Sequence, residues 1–395
     1  MKIKQGDKNL EVKQNSTKLK LKLLLNGIRI DDSAYKGLGS VYKEYQYGYN
    51  DSNWIKHKKQ QIIPSELLLP GNITVAPHLR PNSPYIIKRI KEKMYVIDEK
   101  KDMILSSIEY LKRPKLWDLR LSDGTKVKQY LNVYGMNCLN LFIVANCEFW
   151  NEGLPCVFCS LQPTQNMHNE VVVNKTIDKI EEALKLAFSS GDDLEWMIIT
   201  GGSLKNRQLE FKRYCDVLTV VKRCIPKEWN GKINGNAALL PTNNERDLIQ
   251  LYETGIAHPS YNLEVWGKEL FNFYCKGKGK YVSFDSIVET YKKSVKIWGN
   301  GEVWCNFVGG LSPINDLKEG FKYMADLGVV PGANIFHLDP NAIGVKMGLK
   351  EPTEEYVLEM YHCLANIYKN YGYKPFFSEK VLRNSLSNEA YNGWL

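Results

Sequence analysis

The sequence contains no apolar stretch that could cross a bilayer. Its longest, such as Leu141–Ala145, fall far below the roughly 18 residues a span requires. A helical membrane protein is thereby excluded. No apolar h-region follows Met1, because Met1-Lys2-Ile3-Lys4-Gln5 gives way to alternating Lys and Leu, and a cytoplasmic protein is expected. An even number of cysteines is also missing. Nine cysteines, an odd number spread over 395 residues, argue against a disulfide framework and leave metal binding or free thiols. No RNA-binding module is recognisable: the N-terminal third has neither an aromatic-bearing RNP strand nor a Gly-x-x-Gly clamp. Disorder throughout is excluded, since 44% of the residues are hydrophobic, 11% aromatic and 25% charged.

What is present fits one large catalytic domain and a smaller one. The net charge of +9, 53 Lys and Arg against 44 Asp and Glu, gathers in short runs such as Lys18-Leu19-Lys20-Leu21-Lys22. Alternation of this kind predicts a strand with one solvated basic face rather than an anion-binding surface. Residues 1–135 show period-two segments (Lys18–Leu25, Gly71–Ala76, Lys126–Val133) between the turn signals Asn26-Gly27, Pro70-Gly71 and Asp123-Gly124. One helical stretch is expected over Asp102–Leu111. This region reads as α+β and carries no chemistry.

From 136 to 372 the pattern becomes strand, loop, helix, repeated. The strands are Cys138–Asn146, Leu194–Thr200, Lys232–Ala237, Ala257–Val265, Glu302–Gly310 and Val329–Leu338. Helices follow over Thr176–Ser190, Leu209–Arg223, a segment opened by the capping box Thr242-Asn-Asn-Glu245, Ser283–Trp298, a segment opened by Pro313, and Thr353–Asn370. Six β/α units predict an α/β fold, a parallel (β/α)6 partial TIM-type barrel. Residues 373–395 form a C-terminal tail. Chemistry belongs at the carboxyl ends of the strands.

There the sequence places Cys147-Glu-Phe-Trp-Asn-Glu-Gly-Leu-Pro-Cys156-Val-Phe-Cys159. Cys156 and Cys159 can turn both sulfurs to one metal, and the loop with Gly153 and Pro155 can fold Cys147 back to join them. Cys138 starts the preceding strand, about 30 Å away at the usual rise, and is excluded as a fourth ligand. Three thiolates without a fourth suggest a cluster with one open coordination position, while zinc held by three thiolates and His168 is the alternative. Cys215 and Cys224 face opposite sides of one helix. Cys275 and Cys305 leave a second cluster open but lack local partners.

This loop, with Phe158 before its last cysteine, resembles that of the radical S-adenosylmethionine (radical SAM) superfamily, with a biotin-synthase-like barrel. The commonest spacing in that family is Cys-x3-Cys-x2-Cys, whereas here the first gap is eight. Gly201-Gly202-Ser203 looks like the family's Gly-Gly-Glu turn, with Ser in place of the acid, which receives the amino group of S-adenosylmethionine. Asn262 and Glu264 are similar to the polar pair of strand four that contacts ribose or substrate. Gly309-Gly310 resembles the Gly-rich strand end beside the adenosyl portion, and His337 and Asp339 stand where adenine and substrate contacts gather.

The resemblance implies that Cys147, Cys156 and Cys159 hold a [4Fe-4S] cluster whose fourth iron binds S-adenosylmethionine. Phe158, Gly201, Gly202, Ser203, Asn262, Glu264, Gly309 and Gly310 would contact the cofactor, with Glu264, His337 and Asp339 as catalytic candidates. Reductive cleavage would give a 5′-deoxyadenosyl radical that abstracts hydrogen from a small metabolite or short peptide. An electron donor such as flavodoxin or ferredoxin is implied. A radical enzyme that modifies tRNA and a zinc protein that binds nucleic acid are the alternatives. The first is disfavoured by a neutral-to-acidic barrel mouth, whose nearest basic run is Lys276-Gly-Lys-Gly-Lys280.

Overall fold

The structure is a computed structural model that describes residues 5–44, 63–162, 172–339, 342–375 and 383–395. It opens with a helix, α1 (Gln5–Asn26), where alternation predicted a strand over Lys18–Leu25. The reason is burial on more than one side. Leu19, Leu21, Leu23 and Leu24 are all enclosed, and so is Lys20, whose Nζ lies 2.6 Å from Glu389 in the C-terminal segment. With both the Leu and the central Lys inside, no two-faced strand pattern has to be satisfied. Gly27, at φ +66, then ends the helix by donating its N–H to the Leu23 carbonyl at 2.9 Å.

Six strands follow: β1 (Arg29–Ile30), β2 (Leu67–Leu69), β3 (Ile73–Val75), β4 (Tyr85–Ile90), β5 (Lys93–Asp98) and β6 (Met103–Tyr110). They form one sheet in the order β1-β4-β5-β6-β2-β3, antiparallel except for the β1–β4 pair. Strand β6 occupies the segment expected to be helical. Ile104 and Ile108 are spaced like helix neighbours, but Ile108 and Tyr110 are the buried pair, two apart, as a strand between β5 and β2 requires.

The second sheet has seven strands in the order β13-β12-β11-β10-β9-β8-β7. These are β7 (Leu131–Tyr134), β8 (Cys138–Val144), β9 (Trp196–Gly201), β10 (Ile233–Ala238), β11 (Ile256–Ser260), β12 (Val303–Gly309) and β13 (Val329–Ile335). Strands β8 to β13 are parallel throughout, and β7 joins β8 as an antiparallel edge. Lys126–Val133, expected as one strand, is a 3-10 turn over Val127–Gln129 followed by β7. The helices between the parallel strands complete the partial barrel. The helix after β10 starts at Glu245 and is capped by Asn244, which accepts from the Arg246 N–H, so Thr242 is not its cap.

Register divides the barrel strands into two faces. Leu139, Met197, Ala237, Cys305 and Phe307 point to the helices; Phe307 packs on Phe321 with ring centroids 5.3 Å apart. The alternate residues face the concave side. There Trp196 of β9 lies with ring centroids 6.4 Å from Trp304 of β12, three strands away, and His258 stacks on Trp304 at 3.9 Å. A flat sheet would hold strands three apart at about 14 Å, so the sheet is curled into a barrel wall. Among the described residues no helix is long and apolar enough to cross a membrane.

Candidate active site

The loop after β8 is tied to three parts of the barrel mouth. Cys147 begins a short helix (Glu148–Asn151), and Glu148 N donates to the Ser203 carbonyl at 2.9 Å. The chain then crosses to the segment after β11, where Val157 N donates to Tyr274 O at 2.8 Å and Gly277 N to Leu154 O at 3.0 Å. Finally Gly344 N, beyond β13, donates to Val157 O at 2.9 Å. This path accounts for the eight-residue first gap. The short helix and the Gly153 turn, at φ +69, carry the chain across the mouth.

Cys147, Cys156 and Cys159 come together on one open cleft with about 700 Å³ of empty space. Phe158, Gly201, Gly202, Ser203, Asn262 and Glu264 line the same cleft. Six of the expected cofactor contacts therefore converge with the three cysteines. Gly309 and Gly310 do not join them. A side chain at Gly309 would collide with Met360 of the last barrel helix, and Gly310, at φ +111, abuts Pro352. His337 and Asp339 are also outside the lining; His337 is half-buried and stacked 4.1 Å from the buried His78 of the N-terminal region, and Asp339 is buried. His168 and Pro340 lie outside the described residues.

Asn262 and Glu264 reach the cleft by a route the strand pattern did not show. Strand β11 ends at Ser260, and both residues sit in the following loop, with Glu264 at φ +69. Asn262 Oδ1 accepts from Ser260 Oγ at 2.8 Å and from Asn306 N at 3.1 Å. Glu264 Oε1 lies 2.6 Å from Lys278 Nζ, which also donates to Asn262 O at 2.9 Å. Burial alone would lower the Lys278 pKa, but the Glu264 carboxylate and the neighbouring thiols outweigh it and raise it. The basic segment Lys276–Tyr281, expected as a loop, is a short helix that aims Lys278 into the cleft.

Lys278, Thr200, Tyr214 and Glu210 are cleft residues that the sequence did not single out. The only available signal was the Gly-Lys run, in which Gly277 packs its Cα on the Phe149 ring. Cys275 was also missed as a neighbour of the cluster loop. It pairs with Cys156 in an isolated antiparallel bridge, and hydrogen bonding to Cys275 and burial hold the Cys156 thiol well above its ordinary pKa. Burial raises Cys147 and pushes Cys159 up to about 12. Cys305 points away from the cleft, toward Tyr291 of an outer helix.

Among the described residues no three His, Cys, Asp or Glu side chains close on a point where one metal ion could sit. Zinc needs its sulfurs about 2.3 Å from a common centre, whereas an iron–sulfur cluster takes each thiolate at a separate iron. The donor set, three thiols on one cleft, fits such a cluster. Gly202 adds a constraint from the opposite wall: a Cβ there would lie 2.7 Å from both Cα and Cβ of Cys147, so the turn after β9 can approach the first cysteine only as glycine.

Neither a family model nor a curated protein matches the sequence. Solved structures do. The chain is similar to methylornithine synthase (16% identity, 63% of this chain and 71% of that one, TM-score 0.41). It is also similar to a radical SAM methyltransferase from Sphaerobacter thermophilus (13%, 65% and 73%, TM-score 0.43). A third is coproporphyrinogen III oxidase from Escherichia coli, described as a radical SAM enzyme (13%, 63% and 55%, TM-score 0.40). Two of these three are described as radical SAM enzymes.

Proposed function

We propose that this chain is a radical SAM enzyme acting on a small metabolite or short peptide. One observation carries the reading: three thiols, and no other cysteine lining the cleft, meet the Gly201-Gly202-Ser203 turn at the carboxyl end of a parallel partial barrel. Cys147, Cys156 and Cys159 would hold a [4Fe-4S] cluster, and Gly201, Gly202, Ser203 and Asn262 would contact S-adenosylmethionine. Together these supply one-electron cleavage of the sulfonium and the carbon radical that abstracts hydrogen from the substrate.

The chain's own residues bind and orient. Asn262 is fixed by two hydrogen bonds through Oδ1, so its amide nitrogen has a defined direction. The Lys278–Glu264 pair sets a compact dipole in the cleft wall. Of the three catalytic candidates, Glu264 stands in that wall, and we assign it the substrate or ribose contact. His337, stacked on His78 of the N-terminal region, and the buried Asp339 would shape the far side of the site. The reductant would be a flavodoxin or ferredoxin, in a cytoplasmic setting.

Anaerobically reconstituted protein should be brown and, with dithionite, should convert S-adenosylmethionine to methionine and 5′-deoxyadenosine. Cys147→Ala, Cys156→Ala and Cys159→Ala should each abolish this, whereas Cys138→Ala should not. Colourless protein that binds stoichiometric zinc would refute the reading. Tight tRNA binding with a steep salt slope would replace the substrate class.

A further inference from the structure

The concave face of the barrel has a composition that says what it receives. Strand register places Asn140, Asn236, Asn306 and Asn334 on it, with Thr200 and Ser260. This face is not packed shut. Thr200 and Asn306 are only half-buried and Asn334 is exposed, although their helix-facing neighbours Ile199, Phe307 and Ala333 are buried. Deeper in, Asn140 is fully enclosed, and its Nδ2 donates to Ile198 O at 3.3 Å.

Ionised groups at the two ends of the barrel are matched with one another. At the mouth Lys278 pairs with Glu264, and Arg207 pairs with Glu210. At the floor Lys43 and Arg383 share Glu66, at 2.8 and 2.6 Å, and Arg383 also lies over the Tyr134 ring at 3.9 Å. His258, on the concave face, is held neutral near pH 7, because burial lowers its pKa to about 4. Between the two ends, the polar side chains of the described concave residues, His258 apart, are amides and hydroxyls without a formal charge, set among the apolar Phe142, Ile198, Trp304 and Val308.

We infer that the substrate presents an uncharged, hydrogen-bonding group of amide or urea type to this lumen, and that Asn306 and Asn334, on neighbouring strands, select it. A side-chain amide supplies one acceptor and two donors, the complement of the same group on a ligand. An ionised carboxylate or phosphate would enter without a free counter-charge, at a desolvation cost that the amides only partly meet. The inference rests on the enzyme reading for its claim that the lumen is the substrate site.

The test uses isosteric pairs, nicotinamide against nicotinate and benzamide against benzoate, titrated calorimetrically into the anaerobic full-length protein. The amide member should bind at least tenfold more tightly. Asn334→Leu, at an exposed position, should weaken amide binding at least fivefold with circular dichroism unchanged, and Asn306→Asp should narrow or reverse the preference. Carboxylates binding as tightly as amides, no measurable amide binding, or an amide affinity indifferent to Asn334 and Asn306 would each overturn it. Iron content and S-adenosylmethionine cleavage on the same preparations test the enzyme reading separately. Amide selectivity in protein that assembles no cluster would remove the proposed function and leave the lumen's selectivity standing.

Discussion

Cys156 and Cys275 face each other across an isolated antiparallel bridge, with their thiols in hydrogen-bonding reach. Opposed residues in such a bridge have Cα atoms about 4.5–5.5 Å apart, inside the range that a disulfide spans. A cysteine assigned to the cluster therefore has a second possible partner. Were Cys156 to bind iron as proposed, Cys275 would be left as a buried thiol behind it.

Cluster-free protein treated with hydrogen peroxide should accordingly form a Cys156–Cys275 disulfide, two thiols and one peroxide giving one disulfide and two waters. Peptide mapping without reductant should find this linkage in preference to any other among the nine cysteines. Protein with its cluster assembled should resist it. A Cys156–Cys159 linkage as the main product would show that the loop does not hold the bridge seen here.

Gly202→Ala should disturb the cluster more than the fold. Its new Cβ would meet backbone and side-chain atoms of Cys147 at 2.7 Å, and Cys147 cannot retreat freely because the adjoining Glu148 N–H is bonded to Ser203 O. We expect reconstituted iron to fall severalfold with little change in melting temperature. Normal iron content in this variant would remove the close approach from the account.

How far the sequence disclosed this structure depended on what the pattern had to report. Barrel strands such as Cys138–Val144 and Val303–Gly309 were legible as apolar runs closed by a turn and followed by a helix, whereas β10, with Asn234, Gly235 and Asn236, was legible through the helix signals around it. Lys18–Leu25 misled because alternation assumes one wet face, and Lys20 is dry, paired with Glu389 at the far end of the chain. Gly309 and Gly310 looked like a cofactor cradle, yet their missing side chains make room for Met360 and Pro352. For Cys275 and Lys278 the sequence offered a lone cysteine and a basic run but not their place in the cleft, since that arises from the loop of Cys147–Cys159 crossing to them from more than a hundred residues earlier in the chain.

His258 should make stability depend on pH. Burial lowers its pKa to about 4 from an ordinary 6.5, while its Nδ1 lies 2.9 Å from the Glu302 carbonyl. Between those values the unfolded chain binds the proton and the folded chain does not, so stability rises with pH across that window. The contribution is fully present above pH 6.5 and is lost as pH falls toward 4, up to about 3 kcal/mol for a shift of this size. Urea unfolding at pH 7 and pH 4.5 should show a stability difference that shrinks by about 2 kcal/mol in His258→Gln. An unchanged difference would mean that other groups govern the acid limb.

Glu264 and Lys278 supply the last prediction. Both side chains are largely enclosed, and their ion pair at 2.6 Å is the link between the loop after β11 and the short helix Lys276–Tyr281. Removing one partner of such a pair leaves the other charge buried, a loss of about 3–5 kcal/mol, whereas replacing both with uncharged groups of similar size restores much of it. Glu264→Gln and Lys278→Met should each lower stability by more than the double variant does. The same comparison separates packing from chemistry. If Glu264 contacts ribose or substrate, the double variant should regain stability and cluster content but not turnover. A double variant as active as the wild type would confine the pair to holding the cleft wall together.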